Sequence, residues 1–164
     1  MTRLDPKTLF REFFAPAIRV RLNWGLLEKS RWRVRLSVEE SPEQLKDWYA
    51  PWYLNEDSTQ QVGYDVPGAK PLLLTSVPSL LRELEPSREY RILRLAEQLA
   101  CERSIQIVAA LYDLGGSRRL VIDGNHRIAA VLLREMPFRV LSFTVTAPID
   151  GNILPDLQHW ADPG

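Results

Sequence analysis

The spacing of apolar residues changes rhythm along this chain, and each rhythm predicts an element. Over Ile18–Leu22 and again over Arg31–Val38, apolar residues alternate with arginine. Trp32, Val34, Leu36 and Val38 fall on one face, and Arg31, Arg33, Arg35 and Ser37 on the other. A period of two belongs to a half-buried strand. NWGLLEKS lies between the two runs, with Gly25 available for a turn, so the pattern predicts an N-terminal β-hairpin. Arg19, Arg21, Arg31, Arg33 and Arg35 would then share its outer face, either as a solvated surface or as a surface for an anion or partner. Ser41-Pro42-Glu43-Gln44 carries the signals of a helix start, and this short helix ends before Pro51. The aromatic group Trp48, Tyr49, Trp52 and Tyr53 surrounds that end and is expected to pack one part of the chain on another.

Asn55–Pro67 is polar and turn-rich and reads as a loop. Leu72–Leu74 is a predicted strand, and Pro78–Leu84 a short helical segment. Helical spacing of Ile92, Leu93, Leu95, Ala96, Leu99 and Ala100 predicts a helix from Arg88 to about Glu102, capped by Ser87. Ile105–Tyr112 and Leu120–Ile122 are strands joined through the turn Leu114-Gly115-Gly116-Ser117. Asn125–Met136 is apolar nearly all round, so it is predicted to be a buried helix. Arg139–Thr146 is a closing strand with Leu141, Phe143 and Val145 inward. The class is α+β with a small mixed sheet. The divisions are 1–68, an N-terminal extension; 69–148, the main domain; and 149–164, an irregular C-terminal tail.

Composition narrows the picture only a little. An apolar fraction of 45% over 164 residues suits a globular core. The single cysteine, Cys101, rules out an internal disulfide. Early charges (Arg3, Asp5, Lys7) with no long apolar run behind them give no sign of a signal peptide or membrane span, so a cytoplasmic protein is expected. Net charge is zero but uneven. Residues 1–35 hold nine basic and three acidic side chains, and residues 36–102 hold six and twelve. Neutrality disfavours a dedicated nucleic-acid binder, which would show a strongly basic domain.

The chemistry concentrates in Val121–Ala130, VIDGNHRIAA. A strand runs into Asp123-Gly124, and a helix follows at once. A helix start offers free N–H groups and the positive end of the helix dipole, a natural seat for phosphate. Gly124 permits a tight turn and close approach of a ligand to the backbone, and Arg127 can clamp an anion. His126 can donate a hydrogen bond or move a proton. Asp123 can bind a metal ion or accept from a hydroxyl. The plainer alternative is a turn, a helix-start residue and a surface charge.

Asp-Gly-x-His-Arg-x-x-Ala after a strand resembles the phosphate-binding motif of the ParB/sulfiredoxin superfamily. The order of elements over Leu72–Thr146 is similar to that family's as well. The resemblance implies a ParB/sulfiredoxin-like fold with phosphates on Gly124, Asn125, His126 and Arg127. Sulfiredoxin chemistry needs a cysteine in the motif, where Asn125 stands here, so reductase activity is not expected. Only about eighteen residues follow the closing strand, too few for the helix-turn-helix domain of partition proteins. The motif is closest to that of the free-serine-kinase-like members, whose catalytic glutamate precedes the long helix. Glu89, in Glu85-Pro86-Ser87-Arg88-Glu89, is the loose match for it, or else a helix-start charge. Arg88 and Arg91 also come within range of the phosphates, without an assigned role.

By this resemblance the chain is expected to be a nucleotide-dependent phosphotransferase or nucleotide hydrolase. It would bind ATP/ADP or CTP with Mg²⁺, with Asp123 and Glu89 at the reacting phosphate, Asp123 also as metal ligand, and His126 beside them. The acceptor is an unspecified small molecule or macromolecule. A ParB-like nuclease guided to DNA or RNA by the arginine strands, and a non-enzymatic module that binds a nucleotide or partner, are the alternatives.

Overall fold

The structure is a computed structural model describing residues 4–18 and 21–160. It is a mixed α/β fold whose seven strands form one mixed sheet of order β1-β7-β5-β6-β2-β3, with β4 also on β2. The strands are β1 Arg33–Glu39, β2 Trp48–Leu54, β3 Gln61–Val62, β4 Lys70–Leu73, β5 Ile105–Gly115, β6 Arg118–Asp123 and β7 Phe138–Thr146. The α-helices are α1 Pro6–Ile18, α2 Trp24–Lys29, α3 Val77–Leu80, α4 Pro86–Leu99 and α5 Asn125–Arg134. Among the described residues no helix is long and apolar enough to cross a membrane.

The second half of the chain follows its periodicity. Strand, Gly-Gly turn, strand, buried helix and strand succeed one another over β5, β6, α5 and β7. Gly115 and Gly116 make the turn with φ of 96° and 62°, values that suit residues without a Cβ. Helix α5 stops at Glu135, which turns left-handed with φ 52°. In β7, Phe143 and Val145 point into one apolar layer as expected, yet Ser142 and Thr144 on the opposite face are buried too. Their hydroxyls are satisfied. Ser142 donates to the Glu39 carboxylate at 2.8 Å, and Thr144 accepts from Arg119 at 3.1 Å.

The first third departs from its pattern. Ile18 ends a helix instead of opening a strand, residues 19 and 20 lie outside the described residues, and Arg21 and Leu22 lie in a turn. The N-terminal hairpin is therefore not formed. The NWGLLEKS segment is helix α2, capped by the Asn23 side chain, which accepts from the Leu26 N–H at 3.1 Å. Burial drives the difference. Phe10 and Phe14 on α1 and Leu27 on α2 pack onto Trp32, Tyr112, Leu120, Phe143 and Val145, a larger apolar contact than a two-stranded ribbon offers. The second predicted strand is real, but its partner is β7, with Arg33 opposite Thr146 and Glu39 opposite Val140. Trp32 is buried and Arg33 exposed, as the alternation requires, while Leu36 and Val38 stay exposed.

Two other expectations change. The helix signal at Ser41 yields one 3-10 turn, Pro42–Leu45, and Trp48–Leu54 is a strand. The segment read as an extension thus supplies β1, β2 and β3 to the same sheet as the later strands. The tail is packed as well: Ile153, Leu154 and Leu157 are buried against the α1/α2 side. The sheet lies between two apolar layers, one under α4 and α5 and one under α1, α2 and the tail.

Strand β2 sets up the site. Tyr49 pairs with Leu73 on one side and Leu120 on the other, and Tyr53 pairs with Pro71 and Val62. Strand β4 therefore occupies one edge of β2, while β6 and then β3 share the opposite edge. Between them Pro51 has no N–H to give, and the register on β4 shifts there. Beyond Tyr49 and Leu120, β6 leaves β2 and the sheet forks.

Candidate functional site

The fork opens a cleft of about 350 Å³ at the carboxyl end of β6, bounded by Pro51 and Trp52 on β2, Ile122 to His126, Arg88 and Arg91 of α4, and Arg21. Crevices where parallel strands part at their carboxyl ends are common ligand sites in α/β sheets. Here β2 and β6 are the parallel pair.

Gly124 caps α5 with φ 102°, and a Cβ there would sit 3.2 Å from the Ala109 Cβ. The absent side chain is thus what lets the helix start close on β5 and present its first N–H groups. Ile128 N–H is the first to bond back within the helix, to the Gly124 carbonyl at 3.0 Å. Asn125 is buried, and its amide donates to the Val121 carbonyl at 2.8 Å. Its Oδ1 is buried with no partner, as is Arg88 Nε. Buried polar groups are normally satisfied, so an unused acceptor and an unused charged donor in the walls of one cleft are a ligand signature.

Trp52 lies between two polar groups. The Arg88 guanidinium stands 4.6 Å over its ring, and the His126 ring lies 5.1 Å away on a tilted plane. Burial first, then the charges of Arg91, Arg88 and Arg21, push His126 down to about 4, so it is neutral at pH 7. The Asp123 carboxyl is raised by burial, opposed by the Gly124 N–H and by Arg127 and Arg91. The cleft is therefore basic through arginine, with one carboxylate and one neutral imidazole inside it.

The structure brings together Asp123, Gly124, Asn125 and His126, four of the residues the motif singled out. Arg127 is not in the cleft wall. It is exposed and lines a separate cavity with Leu95, Gln98 and Gln106, so its influence on the cleft is the charge it sets near Asp123. Glu89 is not in the wall either. Arg88 and Arg91, three apart, face the cleft, and Glu89 is rotated about 100° from Arg88 around α4. It sits in the first turn, where an acidic charge favours the helix dipole. Sequence reasoning gave Arg88 and Arg91 no role and placed Arg21 in a strand. Pro51 inside an aromatic run was the available signal for a break in the sheet.

Among the described residues no three His, Cys, Asp or Glu side chains group as a metal site. Among the described residues Asp123 is the one carboxylate in the cleft wall, a donor set that suits a Mg²⁺ ion held largely by phosphate oxygens. Compared with protein-family models, curated proteins and solved structures, the chain matches none.

Proposed function

We propose that the chain binds the phosphates of a nucleotide in the cleft at the start of α5 and transfers or hydrolyses the terminal phosphoryl group. The observation that carries this reading is the convergence of Arg21, Arg88 and Arg91 on the free N–H groups of α5, beside the unpartnered Asn125 Oδ1 and Arg88 Nε. The Asp-Gly-x-His-Arg resemblance points to Asp123, Gly124, Asn125 and His126 of the same cleft, while its Arg127 lies outside the cleft wall. Phosphoryl transfer needs chiefly positioning and charge neutralisation, which arginines and helix N–H groups supply. Asp123 is the carboxylate within the cleft, and its raised pKa favours accepting a proton from an attacking hydroxyl or water. Asp123 is the residue that would hold Mg²⁺, which when bound would supply neutralisation of the phosphate charge. Neutral His126 donates one ring N–H to a phosphate oxygen. Asn125 Oδ1 accepts from a hydroxyl or N–H of the ligand.

The test is a thermal-shift panel of ATP, ADP, CTP and GTP with Mg²⁺, followed by phosphate release on any hit. A nucleotide at about 100 times its Kd adds roughly 2.7 kcal/mol of stability. Turnover lost in Asp123→Asn, with binding retained, supports catalysis. Binding without turnover in the parent chain leaves the binding-module reading, which the position of Glu89 outside the cleft favours. No shift with any nucleotide contradicts both.

A further inference from the structure

A second cavity of about 310 Å³ adjoins the phosphate cleft, and Arg21 and Pro51 border both. Its walls differ in kind. Asp156 is 9% exposed, and among the described residues no hydrogen bond engages its carboxylate. Arg21 Nη1 lies 3.8 Å from it, and that arginine also lines the phosphate end. Gln61 Oε1 accepts from the Glu85 N–H at 2.9 Å. With Oε1 so engaged, its amide N–H₂ is the polar group Gln61 has left to offer, as a donor. Tyr64, half-buried, and the rings of Pro51 and Pro155 supply flat apolar wall.

We infer that this cavity is a nucleobase site and that the base it takes is guanine. The inference rests on the phosphate-binding reading of the neighbouring cleft, because one continuous ligand would run past Arg21 from one to the other. A carboxylate has acceptors only. Both its oxygens are satisfied at once by a ring that presents two adjacent N–H donors on one edge. Guanine does so through N1–H and the 2-amino group, and its O6 lies beside them to accept from the Gln61 amide. Adenine and cytosine place a ring-nitrogen acceptor next to their amino group, against the carboxylate, and uracil has one N–H between two carbonyls. A buried polar group left unpaired by the wrong base is what makes such a site selective. Tyr64 and the proline rings hold the base by its faces, which every base has, so the edge groups set the choice.

The experiment is calorimetric titration of GTP, ATP, CTP, UTP and inorganic tripolyphosphate, at fixed Mg²⁺, into the parent chain, Asp156→Asn and Gln61→Glu. The expected result is that GTP binds the parent about 10- to 100-fold tighter than ATP or tripolyphosphate, the range that hydrogen bonds to a charged acceptor carry. Asp156→Asn brings GTP down to the level of ATP and does not weaken tripolyphosphate, since the neutral side chain leaves the Arg21 charge to the phosphate end. The same variant gains affinity for xanthosine triphosphate, whose O2 accepts from the new amide, a gain that a merely damaged fold would not produce. Gln61→Glu also weakens GTP selectively, by setting an oxygen against O6. Equal binding of tripolyphosphate and all four nucleotides would overturn the base site while leaving the phosphate cleft standing. A preference for ATP or CTP would overturn the guanine assignment. Binding of neither nucleotides nor tripolyphosphate would overturn it together with the phosphate reading.

Discussion

Arg33 and Arg35 on β1, and Arg21, Arg88 and Arg91 around the cleft, are the same residue type in opposite situations. The β1 pair is conspicuous in the sequence, alternating with apolar neighbours. In the fold both are exposed on an edge strand, opposite Thr146 and Thr144 of β7. Arg35 lies close enough to Arg119 to disfavour its charge, but neither β1 arginine lines the cleft. The cleft arginines are scattered over seventy residues of chain and follow no period, yet they meet at one helix start. Their combined charge is strong enough to help strip the proton from His126. Periodicity identifies a face, whereas convergence at a fork in the sheet identifies a site.

The largest effect that would break this contrast is expected at Gly124. Valine there must adopt φ near 102° and meet Ala109, a combination costing about 2 kcal/mol or more. Denaturant unfolding should show that loss, with anion binding gone. A Gly124→Val chain as stable as the parent would mean that the helix start is not built as described.

Next in size is Arg88→Ala. Removal of one charge-assisted contact is worth ~1.5–3 kcal/mol, so tripolyphosphate affinity should fall about 10- to 100-fold. Arg35→Ala should change it less than about twofold, because an exposed charge away from the site is largely screened. Equal losses in the two variants would erase the comparison.

A smaller effect is set by pH. His126 titrates near 4 in the fold and near 6.5 when unfolded. Between those values the unfolded chain holds a proton that the native chain lacks. Its contribution to stability is therefore complete above 6.5 and is lost as pH falls towards 4. Asp123 and Asp156, both raised chiefly by burial, act in the opposite sense. The stability gap between the parent and His126→Asn isolates the histidine and should shift against the parent on acidification. On the phosphate-binding proposal, an anion in the cleft would offset the arginines and raise the His126 pKa, so that binding would take up a proton and tighten as pH falls towards 4. A parent-to-variant gap that does not move between pH 7 and 5 would contradict this. Smallest of all, Arg33→Ala should leave stability within about 0.5 kcal/mol, read from the unfolding midpoint.

Legibility in the sequence follows the same division. From Ile105 onward each element has a local cause: alternating apolar residues, two glycines, and an apolar helix behind Asp123-Gly124. Those causes survive folding, and the junction stands where the pattern puts it. The first third failed because α1 and α2 owe their form to distant partners. Phe10 and Phe14 find Phe143 and Tyr112, more than ninety residues away. Trp48–Leu54 misled for a related reason. Pro51 reads locally as the stop of a helix, and in the sheet it is the gap between β6 and β3. The motif located half of the cleft, whereas Arg21, Trp52, Arg88 and Arg91 depend on that gap and on the turn after α1.

The central claim is that the cleft at the fork, and not the arginine face of β1, is the anion site. Titrating inorganic tripolyphosphate into the parent chain, Arg88→Ala and Arg35→Ala by calorimetry tests it most directly. The account predicts one site in the parent, at least about tenfold weaker binding in Arg88→Ala and unchanged binding in Arg35→Ala. Binding that survives Arg88→Ala and collapses in Arg35→Ala, or no binding to the parent chain, would contradict it.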